Sequence, residues 1–303
     1  MTDNSSATAV RAPALSRSRP GLAWGLLGVT AFSFTVPLTR VAVGGFSPLF
    51  IGAGRGAVAG LMAFAALLIT RQRLPNRGQW ARAAVVAAGV VVGFPFLTSY
   101  ALASTPASHG AVVIGVLPAA TAVMAVVRGH ERPPKTFWIA AGLGALATVA
   151  FAALQGLGGL HLADLLLFGA VVAAAVGYAE GGLLARELGA WQTVSWALVL
   201  AAPVMIALTA VAIDAQPPSA TPVQWAAFAY LAVVSQNLGF LAWYRGLAIG
   251  PMTEVSQIQL VQPVMTLLWA SLLLAEPLTW TTALGALVVV LFAALSVRTR
   301  LAR

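Results

Sequence analysis

Ten long apolar runs follow one another along the 303-residue chain, and no connection between them is long enough to house a soluble domain. They cover residues 21–43, 48–70, 79–104, 107–127, 135–154, 162–184, 190–213, 222–247, 251–274 and 277–297. Each has close to the about 20 residues that a helix needs to cross a hydrocarbon core. In lipid every backbone N–H and C=O must find an internal partner, so only helices and closed barrels span it. Barrel strands are about half as long and alternate with period two; these runs do not alternate. The fold class is therefore all-α, a polytopic membrane protein with ten transmembrane helices. Turn chemistry marks the breaks: Gly44-Gly45, Pro75-Asn76, Thr105-Pro106, Pro133-Pro134, Gly158-Gly159, Pro217-Pro218, Gly250-Pro251 and Glu276-Pro277.

Composition agrees. Charged residues make up 8% of the chain, against about 25% in soluble domains. With no cysteine, disulfides, thiolate metal sites, iron–sulfur clusters and a cysteine nucleophile are excluded. The net charge of +9 reads as membrane orientation rather than as a nucleic-acid surface. With the N-terminus inside, 15 of the 17 Lys and Arg fall on cytoplasmic tails, loops or helix ends; Arg40 and Arg55 are the exceptions. Residues 1–20 and 298–303 are then cytoplasmic tails of an inner-membrane protein. The first run exceeds the roughly 7–15 residues of a signal-peptide core and reads as a retained helix.

The chain also repeats. Gln79-Trp80-Ala81 recurs as Gln224-Trp225-Ala226, and at the same offset of 145 Pro106 meets Pro251, Pro118 meets Pro263, and Glu131 meets Glu276. Residues 143–154 (LGALATVAFAAL) match 284–295 (LGALVVVLFAAL) at nine of 12 positions. Two units result, 21–154 and 162–297. Five helices per unit is an odd number, so the second enters the membrane inverted. Inverted repeats let two similar halves exchange conformations around a central site, which points to a carrier.

Ten helices in two inverted halves, Pro106/Pro251, Pro118/Pro263, the Leu272–Pro277 segment LLLAEP and the Leu-Gly-Ala of 284–286 resemble the drug/metabolite transporter superfamily and its EamA-type exporters. The chain is similar in particular to the YddG group, which exports aromatic and other neutral amino acids. The first half departs from the pattern, with Glu131-Arg132-Pro133 in place of Glu-Pro. The resemblance implies a cavity lined by the third, fourth, eighth and ninth helices, flanked by the first and sixth.

Residues at intramembrane depth supply the candidates. In the eighth segment Gln236, Phe240, Trp243 and Tyr244 share one helical face; a side-chain amide there bonds another helix or faces a cavity. In the ninth, the Glu254/Gln257/Val261 face is expected to point inward and the Gln259/Gln262 face outward. Phe96 and Tyr100 on the third segment are substrate wall or interfacial belt, and Tyr178 on the sixth is a deeper cavity candidate. Arg55 is expected to snorkel to the outer interface, with pairing to a substrate carboxylate as the alternative. Glu180, Glu254 and His109 are structural charges or proton-sensitive groups. Pro95, Pro118 and Pro263 are expected kinks that gate the pathway.

The expected function is export of small metabolites, foremost aromatic and neutral amino acids, by alternating access. Another metabolite or drug (a purine, vitamin or amphiphile) and a channel-like protein are the alternatives. No His-Glu-x-x-His, Gly-x-Ser-x-Gly or paired Asp suggests an enzyme, no ATP-binding motif is present, and no cofactor or metal is expected. The expected partners are the substrate and the bilayer, with no nucleic acid.

Overall fold

The computed structural model describes residues 19–129, 134–155, 161–249 and 258–301, and among these the regular structure is entirely helical. Ten helical rods follow in order: α1 (Pro20–Ala42), α2 (Pro48–Ile69), α3 (Arg77–Ser104), α4 (Ala107–Arg128), α5 (Lys135–Gln155), α6 (Leu162–Leu188), α7 (Ala190–Ala215), α8 (Pro222–Ile249), α9 (Gln259–Leu274) and α10 (Trp280–Leu301). Seven of them are long and apolar enough to cross a membrane. The shorter apolar stretches Lys135–Phe151, Gln259–Leu274 and Trp280–Leu295 stand where the fifth, ninth and tenth spans are expected.

The repeated motifs turn out to be matching structural parts. Gln79 and Gln224 are each the third residue of a helix whose N-cap side chain, Asn76 or Thr221, bonds the Gln backbone N–H. Each Gln in turn accepts from the N-cap backbone, at 3.0 Å for Asn76 and 2.8 Å for Thr221. Two capping boxes thus start α3 and α8. The second repeat packs α5 against α10 reciprocally. A Cβ added to Gly285 would lie 2.3 Å from the Phe151 ring, and one added to Gly144 would lie 3.3 Å from Cβ of Phe292. Each glycine receives the other helix's phenylalanine, as a two-fold relation between the halves requires. Glu276, of the LLLAEP segment, accepts the backbone N–H groups of Ala107 and Ser108 at 2.8 and 2.7 Å. A carboxylate there satisfies free donors and complements the α4 dipole.

α2 packs on α7, α5 on α10 and α4 on α9, so these helices meet their own counterparts. α1 lies against α8 and α6 against α3, again equivalent pairings. Small residues permit the close approaches: a Cβ on Gly28 would stand 2.9 Å from the Trp243 backbone, and one on Gly89 would stand 2.4 Å from the Ala173 carbonyl.

Four helices are interrupted within their length, and α9 begins irregularly. α3 contains a π-helical segment at Ala87–Gly93 and α8 one at Tyr230–Leu238, which overlap under the offset of 145. α4 turns at Gly115–Val116 before Pro118, and α9 opens as a 3₁₀ turn, Gln259–Val261, before Pro263. Each irregular turn thus stands just before one of the paired prolines. α1 breaks at Phe34. Pro37 cannot donate to the Ser33 carbonyl, and Thr266 Oγ1 supplies that bond at 3.0 Å.

Candidate functional site

The breaks converge. Gln236 of the α8 π segment donates from Nε2 to the Val90 carbonyl of the α3 π segment at 2.9 Å. π segments loosen the backbone ladder and often mark functional positions. Here one loosened turn is bonded directly to the other. Pro118 and Pro263 both line a cavity of about 10 Å³ between α4 and α9, with Gln259 and Gln262 on its wall.

A second cavity, of about 20 Å³, lies between α1, α2, α3, α6, α8 and α9. Phe32, Tyr178 and Phe240 form its aromatic wall, with ring centroids 4.8 Å apart for Phe32–Phe240 and 5.9 Å for Tyr178–Phe240. Thr35 and Ser235 bond each other through their hydroxyls at 2.8 Å on another side. Gln262 joins this cavity to the first. The charged lining group is Arg55.

Arg55 does not snorkel. It is 1% exposed, and its Nε and Nη1 have no hydrogen-bond partner among the described residues. The reason lies in the turns of α2 around it. Gly52, Gly56 and Gly60 form a stripe on which Phe96, Met205 and Ala202 sit in close contact, so neighbouring helices wrap the rod. Arg55 stands seven residues from Pro48, about 10 Å into the helix. A guanidinium at such depth is rare and usually pairs or faces a cavity. The unpartnered amide oxygens of Gln236 and Gln262 and the unpartnered Nε2 of Gln259 lie among the same broken helices.

The other candidates divide. Tyr178 and Phe240 line the cavity. Gln236 ties the π segments together. Trp243 and Tyr244 are fully buried behind the wall, with Tyr244 Oη donating to the Gly177 carbonyl at 3.2 Å. Phe96 borders an apolar groove between α3 and α7 instead, and Tyr100 is 46% exposed. Phe94, two residues before Phe96, is the α3 aromatic in the central cavity. Glu254 and Gln257 lie outside the described residues. From 259 onward the face expected outward is the inner one, since Gln259 is buried and Val261 exposed.

Pro95, next to the α3 π segment, is buried. Glu180 lies two turns before the end of α6, is buried, and takes hydrogen bonds from Arg82 and from Arg128, the latter at 2.7 Å. Arg82 also reaches Glu187. This network ties α3, α4 and α6 at one end of the bundle. At the opposite end His109 contacts Asp164 at 2.7 Å and its ring lies 5.4 Å from that of Phe151. Arg40 there donates to the Leu102 and Ala103 carbonyls at 2.8 and 3.1 Å and, with Glu276, borders a cavity of about 610 Å³. Phe32, Ser235 and Asp164 were not among the sequence candidates.

Comparison with known proteins places this architecture. The EamA-like transporter family matches residues 19–153 and again 161–298. The uncharacterized transporter YdeK of Bacillus subtilis is 43% identical over 88% of this chain and 93% of its own length. The uncharacterized transporter YyaM of the same organism is 24% identical over 88% and 90%. A crystal structure with 20% identity superposes with a TM-score of 0.63, covering 91% of this chain and 95% of that one, which shows the fold. With both halves matched to the family and a relative this similar along nearly its whole length, the chain belongs to the EamA-like transporter family and is a membrane transporter.

Proposed function

We propose that the protein is a secondary exporter of aromatic and other neutral amino acids, with the substrate bound in the Arg55 cavity. The observation that carries this reading is the unpaired guanidinium of Arg55 beside the Phe32, Tyr178 and Phe240 rings. A planar fork matches a carboxylate, the rings accept an apolar side chain, and the unpartnered carbonyl oxygen of Gln262 accepts an ammonium group. Together they fit a zwitterion with an apolar tail. The same cation disfavours a cationic drug. Another monocarboxylate metabolite remains the second reading, because the fork selects the head group more strongly than the tail.

The cavity of about 20 Å³ has room for little more than one water, so substrate enters when the broken helices move. Two equivalent π segments and two equivalent proline bends supply the hinges, and Pro95, Pro118 and Pro263 mark them. Both termini face the cytoplasm of a plasma-membrane protein. The end held by Arg82, Arg128 and Glu180 is then the cytoplasmic gate, and the Arg40/Glu276 end is the outer mouth. The units of the alternating movement are residues 21–154 and 162–297.

The test is counterflow in liposomes. Purified protein is reconstituted, half the vesicles are preloaded with unlabelled phenylalanine or methionine, and uptake of the labelled amino acid is followed without an ion gradient. Saturable uptake accelerated by the internal amino acid is expected. Uptake equal to that of protein-free vesicles removes the amino-acid assignment.

A further inference from the structure

We propose that the substrate-free carrier holds a small monovalent anion of chloride size on Arg55. This rests on the Arg55 cavity being the substrate site and states what neutralises it between substrates. Among the described residues, Arg55 is 1% exposed with two nitrogens unpartnered, and no Asp or Glu lines its cavity. The other buried or half-buried carboxylates of the described residues are engaged elsewhere. Asp164 meets His109, Glu180 meets Arg82 and Arg128, and Glu276 caps α4. Glu187 pairs with Arg82, and Asp214 is exposed near the end of α7.

An uncompensated charge in such a place is costly, and no carboxylate of the described residues stands there to balance it. The cavity offers room and donors. Its volume of about 20 Å³ exceeds the roughly 10–15 Å³ that one water requires, and it is far too small for an amino acid. Thr35 and Ser235 share one hydrogen bond between two hydroxyls, which leaves one hydroxyl proton free to turn toward an anion. The fork that holds the anion is the one that holds the substrate carboxylate, so the two compete. The anion leaves as the amino acid binds, and the guanidinium is compensated in both states.

The experiment uses purified full-length protein without amino acid. Thermal unfolding is followed by tryptophan fluorescence in sodium chloride, bromide and gluconate at constant ionic strength, for the wild type and Arg55→Gln. The midpoint of the wild type rises and saturates with chloride and with bromide relative to gluconate, and Arg55→Gln gives no such rise. In the wild type the apparent Kd for phenylalanine increases about twofold when chloride reaches its own half-saturating concentration, by mass action. Equal wild-type midpoints in chloride and gluconate overturn the proposal whether or not the variant folds. A chloride response that survives in Arg55→Gln overturns it too. Phenylalanine binding that ignores chloride keeps the amino-acid reading and removes the anion. A chloride response lost in Arg55→Gln, with no phenylalanine binding, keeps the anion site and removes the amino-acid reading.

Discussion

Replacing Arg55 by methionine is predicted to make the protein more stable and less active. Arg55 is 1% exposed with no partner for Nε or Nη1 among the described residues, so its removal breaks no hydrogen bond that they make at either atom. Insertion scales place Arg at a helix centre at about +2.5 to +3.5 kcal/mol and large aliphatic side chains at about −0.3 to −0.6. That difference is an upper bound, because Arg55 lies off-centre and beside a polar cavity. We expect a stability gain of about 1–2 kcal/mol in gluconate, or roughly 2–8 °C in Tm. Removing one partner of a buried charge pair costs about 2–5 kcal/mol, so carboxylate affinity falls by at least about 30-fold. The assay pairs fluorescence-detected unfolding with phenylalanine binding on the same preparation. A variant that unfolds several degrees below the wild type while binding phenylalanine equally well refutes the reasoning, for Arg55 is then a structural residue with a partner.

Three further outcomes follow from the packing. Glu276→Gln weakens the charged cap on Ala107 and Ser108; a loss of about 0.5–2 kcal/mol is expected, read as faster hydrogen exchange in the first turn of α4. Gly285→Val drives a side chain into the Phe151 ring and costs about 1–3 kcal/mol; Phe151→Ala relieves part of that cost, which a double-mutant cycle in chemical unfolding measures. Because the chain has no cysteine, single thiols report topology: Ser219→Cys reacts with an impermeant maleimide on intact cells, whereas Gln72→Cys reacts only after permeabilisation.

Much of the frame was legible because its signals are local or repeated. The apolar runs fix the rods. Gln-Trp-Ala recurs because a capping box needs Gln at one position, and the two LGAL segments recur because each glycine receives the other's phenylalanine. Pro118 and Pro263 mark matching places in the two halves, each just after an irregular turn. The π segments have no comparable signature, and they defeat a 3.6-residue period. An extra residue per turn shifts the phase of everything after it, so on α3 Phe94 rather than Phe96 reaches the central cavity. Arg55 was misread because distance to the helix end suggests snorkelling, whereas wrapping by neighbours decides it. The stripe Gly52, Gly56, Gly60 carried that information, since small residues at that spacing invite close packing. Phe32 and Ser235 gave no signal above that of ordinary apolar or small residues. Partners drawn from distant segments, such as Thr35–Ser235 and His109–Asp164, have no spacing rule to reveal them.

The central claim is that Arg55 selects a carboxylate beside an aromatic wall. Its most direct test is counterflow of labelled phenylalanine into proteoliposomes preloaded with phenylalanine or with phenethylamine, which keeps the ring and ammonium but lacks the carboxylate. Exchange is expected with phenylalanine, none above background with phenethylamine, and Arg55→Met is expected to lose exchange. Equal exchange with both internal compounds, undiminished in Arg55→Met, contradicts it.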